Sequence, residues 1–558
     1  MYTSLFKSRL VFLCLTLFVN PVFAEEEESD PAEIAIGERL FLETRFAQFF
    51  FAHGQGGDPV METTETIDGA LPGPFAGQSM NCAACHLVDQ QLETPGGSMR
   101  TYSDFARRSP IPQREDGKTH APRNSPPLVN ASLPRRGGPL FHFDGEFDTL
   151  HDLVKATYTG RNYGWLPGEQ AQAIRHFAAV IRNDDGTGEL AQEFGGAYRV
   201  VLKGTDPSIP EELRLPEEFR IDVDTASDQD IFDQVTRITA AYVEDLEFSR
   251  GEDGAFNLSP YDLFLERNGL PRQPRKGESD EHYSKRLLKK IKRLKHPQFV
   301  TPADGAFAFH DQPFVFGPTE LEGMQLFFSR SGHGHAHGNP SQRGTGNCVA
   351  CHAAPDFTDF ALHNTGITAF EYDGIHGAGA FETLLIPALD LRNSDPLAWL
   401  PATAAHPDAQ EPFRAIPSTG RPGETDLGVW NIFANPDFPG PQEKLRRLLC
   451  REQLQLLAQT PHSGPHQERP CSKSSLLERS IATFKTPGLR DLGHSAPYMH
   501  NGQLDSLEAV VEFYIEASEQ AREGRLRNPA PALHGIRLGA EDVEPIAAFL
   551  RALNEDYE

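Results

Sequence analysis

The sequence has few basic side chains for its length of 558 residues. Lys and Arg together number 52, whereas Asp and Glu number 79, so the formal net charge is −27. Such a charge repels nucleic acid and anionic lipid and attracts basic proteins. We therefore expect no nucleic-acid partner, and we expect a basic protein partner unless the charge serves only solubility.

Long apolar runs are also missing beyond the first 24 residues. Within those residues, Lys7 and Arg9 precede a short apolar run, and Val22-Phe23-Ala24 resembles a cleavage site. The run is too short to span a bilayer, and no later stretch is long enough either. These features predict a signal peptide over residues 1–24, export to the periplasm, and no membrane span.

Cysteine is scarce, and most of it lies in close sequence pairs. Of the seven cysteines, Cys14 falls in the predicted signal peptide, four form two CxxC pairs, and Cys450 and Cys471 remain. In an oxidising compartment the remaining two are expected to form a disulfide bond with each other. Two free thiols are the alternative.

A histidine directly follows each CxxC pair. The two motifs comprise Cys82, Cys85 and His86, and Cys348, Cys351 and His352. In this arrangement the two thiols add to the vinyl groups of one porphyrin, and the adjacent imidazole ligates the iron. A zinc or redox CxxC site is the alternative for such a pair. Two such motifs in one exported chain indicate two covalently bound c-type haems.

Strand signals are sparse along the whole sequence. Apolar residues with helical spacing precede both motifs and recur at the C-terminus, and two further helices are expected at 230–248 and 280–295. The predicted fold class is mainly α: two class I cytochrome c-like domains around the haems, with long ordered loops and a helical insertion. We place the first domain at 25–182, an acidic helical insertion or linker belonging to it at 183–299, and the second domain at 300–558.

Segments beside the motifs are similar to those of the bacterial diheme cytochrome c peroxidase family. Residues 121–131 resemble the family's PRNSPTVFNA segment, and Phe143-Asp144-Gly145 stands where the family has Trp-Asp-Gly. Residues 484–490 and 496–502 resemble FKTPTLRN and PYFHDG. The resemblance implies a haem enzyme that reacts with hydrogen peroxide, with His500 lining the pocket. Phenylalanine in place of the family's tryptophan leaves open how the two haems are coupled.

One departure from the typical family pattern follows His500. Tyr514 stands where a methionine ligates the second haem in typical members. Tyrosine at this place resembles the methylamine-utilisation (MauG-type) branch, in which the second haem has His–Tyr ligation. Leu507 and Val511 share a helix face with Tyr514, which would point its side chain inward. A tyrosine buried for packing alone and ligation by Met499 are the alternatives.

Peroxide chemistry also needs a group that moves a proton between the two peroxide oxygens. The resemblance implies a glutamate at a set spacing downstream of Phe143. The same spacing in this sequence leads to Tyr163, and Glu169 is the nearest carboxylate after it. Glu169 is therefore the implied acid–base residue, the alternative being a solvated glutamate near a helix N-terminus. The sixth position of the first haem is expected to be open, with His120 as the alternative ligand.

Two parts of the sequence are candidate sites for metal ions other than haem iron. The resemblance implies one calcium ion between the domains, held by Asn124 and by backbone oxygens of Ser495 and Pro497. Just before the second motif, alternating histidines form either a transition-metal site or a solvated loop. They are His333, His335 and His337.

Taken with the resemblance, these features predict an exported diheme oxidoreductase that reacts with hydrogen peroxide at the first haem. A His–Tyr second haem would store oxidising equivalents, since an anionic oxygen ligand stabilises higher oxidation states of iron better than a thioether does. The enzyme would then oxidise a protein or a small molecule. The alternatives are a cytochrome c peroxidase that removes peroxide with electrons from a small cytochrome, and a non-catalytic diheme electron carrier.

Overall fold

The computed structural model of the chain covers most of the region beyond the predicted signal peptide. The described residues are 30–53, 65–66, 69–70, 81–82, 85–86, 90–94, 97–100, 108–109, 111–135, 137–308, 310–330, 344–459 and 470–556. The predicted signal peptide and the histidines His333, His335 and His337 lie outside the described residues.

Helices dominate the described residues, in agreement with the predicted mainly α class. The helices of the first half are α1 (Ala32–Leu42), α2 (Gln48–His53), α3 (Leu150–Tyr158), α4 (Gln170–Asn183), α5 (Glu189–Glu193), α6 (Tyr198–Val201), α7 (Asp228–Asp245), α8 (Pro260–Arg267) and α9 (Asp280–Ile291). The helices expected at 230–248 and 280–295 correspond to α7 and α9.

The second half of the chain continues with helices and a few short strands. Its helices are α10 (Pro318–Phe328), α11 (Ile367–His376), α12 (Leu389–Ser394), α13 (Pro396–Trp399), α14 (Gln442–Gln459), α15 (Lys473–Arg479), α16 (Leu507–Arg522) and α17 (Val543–Arg551). The strands form antiparallel pairs: β1 (Glu65–Thr66) with β2 (Gly69–Ala70), β3 (Gln90–Thr94) with β4 (Gly97–Arg100), and β5 (Leu362–His363) with β6 (Phe484–Lys485).

Serine caps fix the start of two helices that matter for the architecture. The hydroxyl of Ser227 accepts the N–H of Asp230 at 3.2 Å at the start of α7. Ser506 accepts the N–H of Ala509 at 3.1 Å at the start of α16. Each cap satisfies an N–H group that has no partner within its helix, so these serines set where the helices begin.

Two glycines allow helices to pack closely. A Cβ atom on Gly37 of α1 would lie 2.6 Å from the Cβ atom of Tyr242 on α7. A Cβ atom on Gly323 of α10 would lie 1.8 Å from the carbonyl oxygen of Pro545 on α17. Any larger residue would force these helix pairs apart, so each glycine sets the position of the helix that leads towards a CxxCH motif.

Buried apolar side chains form three clusters, and these divide the chain differently from the sequence expectation. The first cluster includes α1, α3, α4 and α7, the second most of the chain from Leu362 to Ile536, and the third α8, α9, α10 and α17. The expected insertion at 183–299 is therefore split: residues up to Phe256 pack in the first cluster, whereas Tyr261–Ile291 pack in the third. The apolar faces of α8 and α9 are buried against α10 and α17, while the domain bounds stay a prediction.

Within the described residues, no helix has both the length and the apolar composition needed to cross a membrane.

Candidate haem-binding centres

The first CxxCH motif begins directly beside the end of α1. The backbone N–H of Cys82 donates to the carbonyl oxygen of Phe41 at 3.0 Å, and the N–H of His86 donates to the carbonyl of Cys82 at 2.9 Å. This turn places both sulfurs and the imidazole on one short segment. Cys82 and Cys85 are half-buried and form no disulfide bond, so both thiols are available for thioether bonds.

The surroundings of the first motif keep its histidine neutral. Burial, assisted by the nearby His142, lowers the pKa of His86 to about 4. A neutral imidazole is the form that ligates a metal. The segment therefore fits a haem.

Two tyrosines line the first motif, and the sequence did not single out their contact with it. The hydroxyl of Tyr163 lies 3.1 Å from Sγ of Cys82, and Tyr158 packs edge-on against Tyr163, with ring centroids 5.0 Å apart. Both rings are fully buried. Tyr163 stands at the position where the family spacing puts the acid–base glutamate, so the sequence already indicated that this position lies near the haem.

The second motif is held by a 3₁₀ turn, Cys348–Ala350. Cys348 and Cys351 form no disulfide bond. Nδ1 of His352 lies 2.9 Å from the carbonyl oxygen of Phe357. When Nδ1–H donates to that carbonyl, Nε2 is left unprotonated and oriented for a metal, which is the usual arrangement of a metal-ligating histidine. This segment therefore also fits a haem.

Tyr514 lies on α16, near the cysteines of the second motif. Burial raises the pKa of Tyr514, and the nearby Cys351 and Cys348 raise it further, whereas His363 lowers it. The tyrosine is half-buried and packs against the second apolar cluster, where Met499 also packs. Because the pKa is raised overall, this hydroxyl stays protonated at neutral pH, so ligation by a ferric iron is what would stabilise a tyrosinate here.

A half-buried histidine–carboxylate group beside Cys351 was not anticipated from the sequence. Nε2 of His363 lies 2.9 Å from Oδ2 of Asp359, and Nδ1 lies 3.3 Å from Oε1 of Glu452. Burial would lower the pKa of His363, but Cys351 and Asp359 raise it well above its ordinary value. The two carboxylates thus hold a positive charge at the edge of the second motif.

A buried arginine joins the segments that flank the two motifs. Nη1 of Arg123 lies 2.5 Å from Oδ2 of Asp144, and Nε of Arg123 lies 2.5 Å from Oδ2 of Asp426. All three side chains are less than one-tenth exposed. Because Asp144 follows the first motif and Asp426 the second, this ion triplet links the two halves of the chain.

Aromatic rings lie beside that triplet. The rings of His500 and Phe484 are stacked, with centroids 3.6 Å apart, and Phe143 lies edge-on to His500 at 6.5 Å. Burial lowers the pKa of His500 to about 3, and Arg123 and Arg108 oppose the raising effect of Asp426. His500 is therefore a neutral, buried imidazole in contact with the residue that replaces the family's tryptophan.

Glu169 is engaged in a salt bridge at the start of α4. Its Oε2 and Oε1 atoms lie 3.0 and 2.8 Å from Nη1 and Nη2 of Arg114, and Oε2 also accepts the N–H of Leu166 at 2.8 Å. Burial would raise the pKa of Glu169, but these hydrogen bonds lower it overall. This geometry favours the helix-terminus alternative over proton transfer. His120, the alternative ligand, is exposed and bonds the hydroxyl of Thr119 at 2.9 Å.

The residues implied for calcium come together in part. Nδ2 of Asn124 donates to the carbonyl oxygen of Pro497 at 2.8 Å, and both residues are buried. Ser495 is half-buried, and its hydroxyl donates to the carbonyl of Leu492 at 3.2 Å. Oδ1 of Asn124 accepts the backbone N–H of Ser125 at 3.0 Å. For the Asn124 oxygen and the Pro497 carbonyl to ligate one hard cation, the amide group would have to turn over and give up that hydrogen bond.

Cys450 and Cys471 form a disulfide bond, with their Cα atoms 5.1 Å apart. It connects α14 to the residues just before α15.

Comparison with known proteins finds that parts of the chain are similar in sequence to named peroxidases. No protein-family model matches the chain. A segment of 215 residues, 38% of this chain and 37% of the relative, is 39% identical to cytochrome-c peroxidase IdrP2 of Denitromonas iodatirespirans. A segment of 37 residues, 7% of this chain and 10% of the relative, is 62% identical to methylamine utilization protein MauG of Methylorubrum extorquens.

These matches span well under half the length of either relative. Among solved structures, the diheme peroxidase BthA from Burkholderia thailandensis E264 aligns over 95% of this chain and 87% of that chain, with 17% identity and a TM-score of 0.41. The named sequence relatives are a cytochrome-c peroxidase and MauG, each matched over part of its length, in agreement with the resemblance seen in the segments beside the motifs.

Proposed function

We propose that this chain, a relative of the MauG-type diheme peroxidases, is an exported diheme oxidoreductase that reacts with hydrogen peroxide at its first haem. It stores the oxidising equivalents over both haems and uses them to oxidise a protein or a small molecule. Haems bound at the two motifs supply the redox chemistry. The periplasm is the proposed location.

The observation that carries this proposal is the position of Tyr514 near Cys348 and Cys351. Both thiols act on the pKa of Tyr514, after burial as the main cause, and this supports Tyr514 and His352 as the residues that would hold the second haem iron. An anionic oxygen ligand favours a higher oxidation state of iron. Because methionine ligation would favour electron entry instead, tyrosine at this place supports storage of oxidising equivalents.

Other residues of the chain have supporting roles in this proposal. His86 and His352 would hold the irons, and the bond from His352 to the Phe357 carbonyl orients its ring. Arg123 keeps the two halves in fixed contact through Asp144 and Asp426. A fixed spacing between the haem segments is what electron exchange between them requires.

Calcium binding is a part of the proposal that needs a rearrangement, and proton transfer by Glu169 is the less favoured of the two roles of this residue. Glu169 would move a proton only after Arg114 releases its carboxylate. One calcium ion would sit between Asn124 and the backbone oxygens of Ser495 and Pro497, where it would replace the amide hydrogen bond to Pro497. A bound cation there would further stabilise the contact between the halves.

The test is to add hydrogen peroxide to the diferric protein without prior reduction and to follow its optical spectrum. The proposal expects both haems to change at once, and the Tyr514→Phe variant to lack the change at the second haem. A response only after one haem has been reduced would favour a cytochrome c peroxidase fed by a small cytochrome. No response in either state would make the protein an electron carrier.

A further inference from the structure

A cluster of metal-binding side chains lies away from both CxxCH motifs. Nε2 of His310 lies 2.9 Å from Oδ1 of Asp491, and Nδ1 of His494 lies 3.0 Å from Oδ2 of the same carboxylate. The side chains of His310 and His494 are each 4% exposed, and that of Asp491 is fully buried. Ligand atoms of all three lie within 4.8 Å of one another. Two segments far apart in sequence therefore bring two imidazoles and a carboxylate together.

The backbone around the cluster is shaped to allow this approach. Asp491 has a φ of 57°, a left-handed conformation that aspartate adopts more readily than most residues. A Cβ atom on Gly493 would lie 2.8 Å from Nδ1 of His310 and 2.5 Å from Nδ2 of Asn554. Only glycine leaves room for the imidazole.

The C-terminal segment after α17 supplies further polar atoms. The carbonyl oxygen of Glu555 lies 3.1 Å from Nε2 of His310. Oε2 of Glu555 and Nδ2 of Asn554 are buried and have no hydrogen-bond partner among the described residues. Burying a polar atom without a hydrogen-bond partner costs free energy. Protein groups among the described residues therefore do not meet all the hydrogen-bonding needs around this cluster.

The cluster also has an excess of negative charge. Asp262 and Glu555 both pair with the buried guanidinium of Arg490, and Asp491 adds a third buried carboxylate. The rings of His310 and His494 are stacked, with centroids 3.8 Å apart and planes 19° apart. Because a metal ion lies in the plane of each imidazole that binds it, the two rings would have to turn when they bind one ion.

We propose that His310, Asp491 and His494 bind one divalent transition-metal ion of the zinc type, with the carbonyl oxygen of Glu555 as a fourth ligand. Two imidazole nitrogens and two oxygens suit such an ion. At the usual bond lengths of about 2.0–2.2 Å, neighbouring ligand atoms around tetrahedral zinc are about 3.3 Å apart. The observed separations of 2.9–3.1 Å are close to that spacing.

The ion would offset the negative charge of the buried carboxylates. It would also tie three separate parts of the chain together: the loop before α10, the turn at 491–494 that leads to His500, and the C-terminal segment after α17. This site is structural, and it does not depend on the proposed reaction with peroxide.

The test uses the full-length haem-loaded protein, stripped with a chelator, resupplied with calcium, and then dialysed against zinc chloride. We expect one tightly bound zinc per chain. X-ray absorption at the zinc edge should show two imidazole ligands and oxygen ligands at about 2.0–2.2 Å, a signal that the haem irons do not contribute to. The double variant His310→Gln/His494→Gln should bind zinc at least 100-fold more weakly.

Two control variants separate this site from other histidines. His282→Gln changes an exposed histidine on α9 and should leave zinc binding unchanged. The triple variant His333→Gln/His335→Gln/His337→Gln removes the alternating histidines, and it should retain the tightly bound zinc. Loss of zinc in the triple variant but not in the double variant would overturn the proposal. So would a wild-type zinc spectrum without two imidazoles, a result that does not depend on any variant folding.

Discussion

The imidazole of His500 lies face to face with the ring of Phe484, with centroids 3.6 Å apart and planes 14° apart. Phe484 belongs to β6, whereas His500 follows the turn that contacts Asn124. The stack buries His500 to 5% exposure and, with Arg123 close by, lowers its pKa to about 3. His500 is therefore uncharged in the folded protein throughout the physiological pH range.

The low pKa of His500 predicts that acid destabilises the fold. The unfolded chain protonates this histidine near pH 6.5, whereas the folded protein does so only near pH 3. Stability contributed by the neutral form is therefore lost as the pH falls from 6.5 towards 3. Between pH 7 and pH 5 we expect a loss of about 2 kcal/mol from this residue.

Chemical unfolding at both pH values, followed by circular dichroism, measures this loss. The matched control is His500→Phe, which keeps an aromatic ring against Phe484 but cannot titrate. The wild type should lose about 2 kcal/mol more than this variant between pH 7 and pH 5. Equal losses in the two proteins would mean that His500 titrates normally in the folded state.

The pair of Arg114 and Glu169 allows two roles of Glu169 to be distinguished. If Glu169 only stabilises the N-terminus of α4, Glu169→Gln and Arg114→Gln should each lower the free energy of unfolding by about 1 kcal/mol. Neither should change the rate of the reaction with peroxide. We expect this result from the geometry. A loss of about 100-fold in stopped-flow rate for Glu169→Gln alone would instead establish proton transfer by this carboxylate.

Replacement of Tyr514 tests the second haem directly. Tyr514→Phe should keep the haem covalently attached through Cys348 and Cys351, but should remove the low-spin His–Tyr signal from the electron paramagnetic resonance spectrum. Tyr514→Met should raise the reduction potential of the second haem, since a thioether favours the reduced iron. A wild-type spectrum typical of His–Met ligation would exclude Tyr514 and make Met499 the ligand.

The disulfide between Cys450 and Cys471 should contribute measurably to stability. It closes a loop with a sequence separation of 21 residues, for which chain entropy predicts roughly 3 kcal/mol. Cys450→Ser/Cys471→Ser should unfold with a correspondingly lower free energy in denaturant titrations. Dithiothreitol should lower the free energy of unfolding of the wild type to the same extent, and it should leave the thioether-bound haems in place. A variant as stable as the wild type would contradict the prediction.

The two motifs predict two covalent haems per chain. Mass spectrometry of the denatured protein should find both, and Cys82→Ser/Cys85→Ser should retain only the haem at the second motif. The paired variant Cys348→Ser/Cys351→Ser should retain only the first. A wild-type chain carrying one haem or none would refute the proposed function as well as the haem assignments.

Several features of this protein followed from the sequence alone because they depend on residues close together in the chain. Each CxxCH motif carries its whole chemistry within five residues, and the helices α7 and α9 follow from local apolar spacing. The position of Tyr514 on a helix face, seven residues after Leu507, likewise needed only the helical period to point it inward.

Other features were decided by tertiary structure, because their partners are far apart in sequence. Arg114 binds Glu169 across 55 residues of sequence. The carboxylate implied as an acid–base group therefore lies in a salt bridge at the N-terminus of α4. Arg123 reaches Asp426 across 303 residues, and His310 reaches Asp491 from a separate loop. Local spacing specifies helices and covalent motifs, whereas the charge of a buried group is set by whichever distant side chains the fold places beside it.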